Sequence, residues 1–135
     1  MLDFLKIKKI PTLFWSSPKP FTLKPPLISV VILLIGTTLF GLGETLLISA
    51  GIGVSPWTVF AQGISNVSGY SIGVSTFLVS VVVLLIWIPL KQVPGLGTMV
   101  NIFIIAIVLD YALPIMPHFE TTYSRLIGAL AGVLI

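Results

Sequence analysis

The sequence predicts an all-α integral membrane protein: a bundle of three full transmembrane helices plus a partial fourth, with a short re-entrant or interfacial helix after the first span. Three observations predict it. Of 135 residues, 56% are hydrophobic and only 8% are charged, where a soluble domain carries about a quarter charged residues. The mean hydropathy is +1.16, and so little polar surface cannot clothe a globule in water. Finally, Lys6, Lys8, Lys9, Lys19 and Lys24 all precede the first long apolar run. That placement marks a cytoplasmic flank rather than a phosphate-binding face, so the net charge of +3 speaks of topology and not of nucleic acid. Cysteine is absent, which excludes disulfides, thiolate metal sites and cysteine nucleophiles.

Residues 1–26 read as a basic, proline-rich cytoplasmic segment and residues 27–135 as the transmembrane domain. Pro11, Pro18, Pro20, Pro25 and Pro26 interrupt the positive charges, and the apolar run beyond Leu27 is too long for a signal-peptide core. The weakly amphipathic stretch from Leu2 to Leu13 reads either as a short interfacial helix or as a disordered basic tail. Leu27 to about Ala50 is the first span, long enough for a hydrocarbon core of about 30 Å. Pro25 and Pro26 set its start, and Gly51, Gly53 and Pro56 stop it.

Ser55 to Val67 opens with Ser-Pro, a cap followed by a proline suited to a first helical turn. It is too short to cross and carries Gln62, Ser65 and Asn66, which suits a half-helix rather than a span. Ser71 to Leu90 is the second span, ended by Pro89 and Lys91. After the turn chemistry of Gln92 to Gly97, the third span covers about Thr98 to Leu113 or Met116. Ser124 to Ile135 begins a fourth span that stops short of a crossing, and a chain truncated at its C-terminus is the expectation. With the N-terminus inside, Lys91 joins the cytoplasmic lysines and only Arg125 lies near the outer side. A true crossing at Ser55 to Val67 would move Lys91 outside, so the charge asymmetry favours the half-helix.

Ionisable groups inside a span are costly and need a partner or a wet cavity. Glu44 in the first span and Asp110 in the third both fall about six residues before their helix ends, hence roughly 9 Å below them. Arg125 enters at a comparable level. Two readings stand: the carboxylates bind a cation, proton or polar solute, or they pin helices together through Arg125 and neighbouring hydroxyls. A broken helix pointing its N-terminus into a bundle is a recurring solute-binding device in transporters, and Ser55-Pro56 offers one. A tight turn anchored at the interface by Trp57 is the competing reading. The candidate binding set is therefore Glu44, Asp110, Ser55, Gln62 and Asn101. The candidate helix-packing set is Gly41, Gly43, Gly69, Gly73, Gly128 and Gly132, several of them four apart. His118, the one histidine, lacks nitrogen partners for a metal site. No nucleophile elbow, zinc-protease helix or phosphate loop accompanies the acids, which argues against an enzyme and against a cofactor.

The run Gly41-Leu42-Gly43-Glu44, then Ala50-Gly51-Ile52-Gly53 with Pro56-Trp57, then Gly63-Ile64-Ser65 and Gly69-Tyr70-Ser71-Ile72-Gly73 resembles the YczE-type membrane proteins of bacteria, a group discussed beside the YitT-type. Pro94-Gly95-Leu96-Gly97-Thr98, Asn101 and Asp110 continue the pattern, and the match covers about Leu33 to Pro114. The resemblance implies a multi-pass protein of the bacterial cytoplasmic membrane, longer than this chain and with further spans; it supplies no catalytic residues. The expected activity is that of a transporter-like protein for a small solute or ion, built on the Glu44 and Asp110 region. Its rival is a non-transporting membrane component that supports a partner's assembly or regulation. Expected partners are the lipid bilayer, a small solute or ion, and a second copy of the chain in a homo-oligomer.

Overall fold

The computed structural model describes residues 24–135. Lys6, Lys8, Lys9 and Lys19 and the stretch from Leu2 to Leu13 thus lie outside the described residues. Five α-helices follow: α1 Leu27–Ala50, α2 Pro56–Ser68, α3 Ile72–Trp87, α4 Leu96–Ala112 and α5 Thr122–Leu134, with a 3-10 turn Leu113–Ile115 extending α4.

Local chemistry sets the boundaries. α1 begins directly after Pro26 and closes at Gly51, whose φ of 63° lets its N–H turn back to the Leu47 carbonyl. Ser55 caps α2 by accepting from the Thr58 N–H, and Pro56 occupies the first turn, where its missing N–H costs nothing. α2 ends at Gly69, also left-handed, with φ 76°. Ser71 caps α3 through the Val74 N–H, and Thr121 with Ser124 forms a reciprocal capping box on α5.

Neighbour contacts fix the directions. Gly97 approaches Leu33 and Gly41 approaches Val108, so α1 and α4 run parallel. Gly73 lies against Ala106 and Asp110, and the Phe77 and Phe103 rings sit 5.3 Å apart, so α3 runs antiparallel to α4. Gly43 and Gly132 meet backbone to backbone, while the Ser49 hydroxyl donates to the Pro117 carbonyl at 2.6 Å; α5 thus descends beside α1. Because α1 and α4 share a direction, α2 and α3, bent by 113° at their break, together return the chain.

The interior is small and polar, and the exterior is large and apolar. Thr37, Glu44, Thr45, Thr58, Ser75, Thr76 and Ser80 are buried beside Ala50, Ala61, Ala106 and Leu109, whereas Leu27, Ile35, Phe40 and Leu134 are exposed. Most of the buried hydroxyls bond back to the preceding turn, as Thr45 to Gly41 at 2.7 Å and Thr76 to Ile72 at 2.8 Å. This inversion is how helices pack in lipid, where apolar surface gains nothing from burial. Only 22% of the apolar window in α1 and 28% of that in Leu96–Ile115 are buried, which is consistent with a membrane protein.

Two helices are long and apolar enough to cross a membrane, α1 and Leu96–Ile115, or three spans if the bent pair counts as one. The expected count of three full spans plus a partial fourth is not reached by single helices. α3 has 16 residues and α5 has 13, short of the roughly 20 that a straight crossing needs. The second span was expected to reach Leu90; α3 ends at Trp87, because Pro89 cannot continue the ladder and Lys91 turns left-handed with φ 55°.

Candidate functional site

Glu44 is 8% exposed, on the face of α1 that looks toward the start of α2. The local sequence explains that meeting. Ser55 must turn its hydroxyl toward the unpaired N–H groups of α2, and Thr58, three residues on, then presents its own hydroxyl beside it at 2.9 Å. Thr58 donates a short hydrogen bond to Glu44 Oε2, and the Ser55 hydroxyl reaches the same oxygen at 3.5 Å. The positive end of the α2 dipole also favours a carboxylate there. Oε1 has no hydrogen-bond partner among the described residues.

Glu44 borders a cavity of about 300 Å³ between α1, α2, α3 and α4. Its polar wall is Glu44, Ser55, Thr58, Thr76, Ser80 and Asn101; Phe40, Trp57 and Leu109 are among its apolar parts. Among the described residues no Lys or Arg lines it. Phe40 and Glu44 also border a second cavity, of about 340 Å³, toward Gly132 on α5. The Glu44 side chain therefore stands between two voids.

Asp110 has a different job. Its Oδ2 accepts from the Ser71 hydroxyl at 2.8 Å and its Oδ1 from the Gly73 N–H at 2.8 Å. Both oxygens are thereby committed to the first turn of α3, an N-cap supplied by the neighbouring helix. Asp110 borders neither of the cavities that Glu44 lines. Arg125 donates from Nε to the Phe119 carbonyl at 3.0 Å, so Glu44, Asp110 and Arg125 take separate partners rather than forming a cluster.

Of the other expected binding residues, Ser55 and Asn101 line the Glu44 cavity, and Gln62 borders neither void. The glycines divide similarly. A Cβ on Gly43 would fall 2.5 Å from the Gly132 carbonyl oxygen, one on Gly128 2.5 Å from the Phe119 ring, and one on Gly41 2.9 Å from Val108. Gly73 lies against the Ala106 carbonyl and the Asp110 carboxyl group. Gly69 has open space around it; it is the left-handed cap of α2 and not a packing seat, because its backbone has already left the helix.

Sequence reasoning missed Thr58, Thr76, Ser80 and Phe40. Thr76 and Ser80 stand four apart on α3, whose remaining polar side chain is Ser75, and Phe40 stands four before Glu44; helical spacing from the acid and a polar stripe on α3 were the available signals. Among the described residues, no group of three or more His, Cys, Asp or Glu gathers as a metal site.

Among curated proteins the chain is similar to an uncharacterized protein of Haemophilus influenzae, 38% identical over 130 residues. The match covers 96% of this chain and 59% of that protein, so the chain spans about three-fifths of its relative's length. No solved structure matches. The model of a family of unknown function, DUF6198, matches residues 27–135, which takes in every helix from α1 to α5, and the chain belongs to that family.

Proposed function

We propose that this chain forms part of a transporter-like protein of the bacterial cytoplasmic membrane, which admits a small polar or charged solute to the Glu44 cavity. In this reading the N-terminus and Lys91 face the cytoplasm, α1 and α4 cross outward, and α2 with α3 makes the single return. The likeness of its glycine motifs to YczE-type proteins supports the membrane assignment. One observation carries the functional reading: a buried carboxylate, one oxygen of which is held by the start of a broken helix, lines a void together with Ser55, Thr58, Thr76, Ser80 and Asn101. A fold that needed only a helix cap would spend both oxygens, as Asp110 does.

A second reading, a non-transporting component that supports a partner, is favoured by the close backbone crossing at Gly43 and Gly132. Cysteine accessibility separates the two, since the native chain has no cysteine. Ser80→Cys and Asn101→Cys report on the cavity, and Val82→Cys, on the exposed side of α3, reports on lipid. In native membranes a water-soluble maleimide is expected to label positions 80 and 101 and to spare 82. Protection of both cavity positions refutes a wet path and leaves the packed-bundle reading.

A further inference from the structure

The Glu44 cavity has a charge without a counter-charge. Glu44 is more than nine-tenths buried, yet among the described residues no Lys or Arg lines either void that it borders. Arg125 is occupied at the Phe119 carbonyl. The α2 N-terminus and two hydroxyls soften the charge on Oε2, but Oε1 has no donor among the described residues. A buried carboxylate left this way is costly, and a cationic ligand removes that cost.

The remaining wall narrows the class of cation. A bare metal ion needs several oxygens converging at close range, whereas this void is about 300 Å³, the lower end of the roughly 300–1,000 Å³ typical of small-molecule pockets. Two aromatic rings are tied to the acid by the chain itself. Phe40 precedes Glu44 by one helical turn on the same face of α1, and Trp57 adjoins Thr58, which holds the carboxylate. Both rings line the cavity and both are partly exposed, at 55% and 42%, as walls of a mouth would be. Aromatic faces beside one carboxylate are the recognition chemistry of alkylammonium groups.

We propose that the Glu44 cavity binds a small organic ammonium ion, from tetramethylammonium to choline in size, with Glu44 as counter-ion and Phe40 and Trp57 as aromatic walls. This rests on the reading of the cavity as a solute site and deepens it to a ligand class. The test uses the full chain in detergent, with thermal unfolding as readout. The probes are tetramethylammonium chloride, choline chloride, the neutral isostere of choline in which tert-butyl replaces trimethylammonium, and sodium chloride at matched ionic strength.

The two ammonium salts are expected to raise the unfolding midpoint, and at least about tenfold more isostere should be needed for the same shift. Glu44→Gln should erase that preference. Trp57→Leu, at the exposed mouth, keeps the carboxylate and should raise the ammonium requirement about 3- to 30-fold; it serves if Glu44→Gln does not fold. Equal response to choline and its isostere, a preference that survives Glu44→Gln, or an equal shift from sodium chloride each overturns the proposal. If no probe shifts the midpoint while the cysteines at 80 and 101 are labelled, the ligand class fails and the cavity reading stands. If those cysteines are also protected, both fail.

Discussion

Replacing Gly43 with alanine isolates the cost of one backbone crossing. The added Cβ would lie 2.5 Å from the Gly132 carbonyl oxygen, whereas at Gly36, two turns earlier on the same helix, nothing lies within 4 Å. Both substitutions exchange glycine for alanine inside α1, so both gain the same helix-propensity term of about 1 kcal/mol. That term cancels when the two variants are compared. What remains is overpacking against a carbonyl that has no rotamer through which to escape, at about 1–3 kcal/mol. Gly36→Ala is therefore expected to be neutral or stabilising, and Gly43→Ala to lie about 1–3 kcal/mol below it in unfolding by denaturing detergent in mixed micelles. Gly132→Ala meets the reciprocal carbonyl, of Gly43, at 2.7 Å, so the first substitution already opens the gap that the second needs. The double variant should lose less than the sum of the singles, with a coupling of at least about 0.5 kcal/mol. Equal stabilities for Gly36→Ala and Gly43→Ala, or strict additivity in the double variant, would refute the crossing.

Three further outcomes follow from single groups. Asp110→Leu strands the Gly73 N–H and the Ser71 hydroxyl and should cost about 1–3 kcal/mol of unfolding free energy; Asp110→Asn, which keeps one acceptor, should recover part of that loss in the same assay. The Ser75 hydroxyl is fully buried without a hydrogen-bond partner, so Ser75→Ala is expected to be neutral or stabilising by up to about 1 kcal/mol, and a loss above that in thermal unfolding would reveal a partner. Lys91 holds a left-handed backbone with φ 55°, and Lys91→Gly should raise stability by about 0.5–1 kcal/mol in the same melt.

Much of the fold was legible because lipid leaves so few options for the backbone. Pro25-Pro26, Ser55-Pro56, Gly51 and Gly69 fall at the observed ends of α1 and α2, so a separate short helix after the first long one was readable. The sequence could not reveal the short length of α3. Its apolar run extends to Leu90, and the stop signals Pro89 and Lys91 mark an end without showing that the helix already closes at Trp87. The site was half legible. Intramembrane acids announce themselves by their cost, so Glu44 and Asp110 stood out. Which way each side chain turns is a matter of helix azimuth, and α1 is apolar almost all round, leaving no amphipathic face to orient it. For that reason the paired depth of the two acids suggested one cluster, where the fold gives each its own helix start.

That division of labour has a physical logic. A helix that begins inside a bundle exposes N–H groups that lipid cannot satisfy. α2 and α3 each begin with a serine cap, and each start is met by a carboxylate from a longer neighbouring helix. Asp110 answers a serine hydroxyl and a backbone N–H with one oxygen each, so its charge is spent on architecture. Glu44 spends only Oε2, on two hydroxyls, and a serine or asparagine at that position would satisfy hydroxyls without the cost of a buried charge. Capping therefore accounts for Asp110 and does not account for Glu44. The surplus is one carboxylate oxygen without a partner among the described residues, on a side chain that lines a void with two aromatic residues and no described Lys or Arg, and the proposed ammonium ligand answers that surplus.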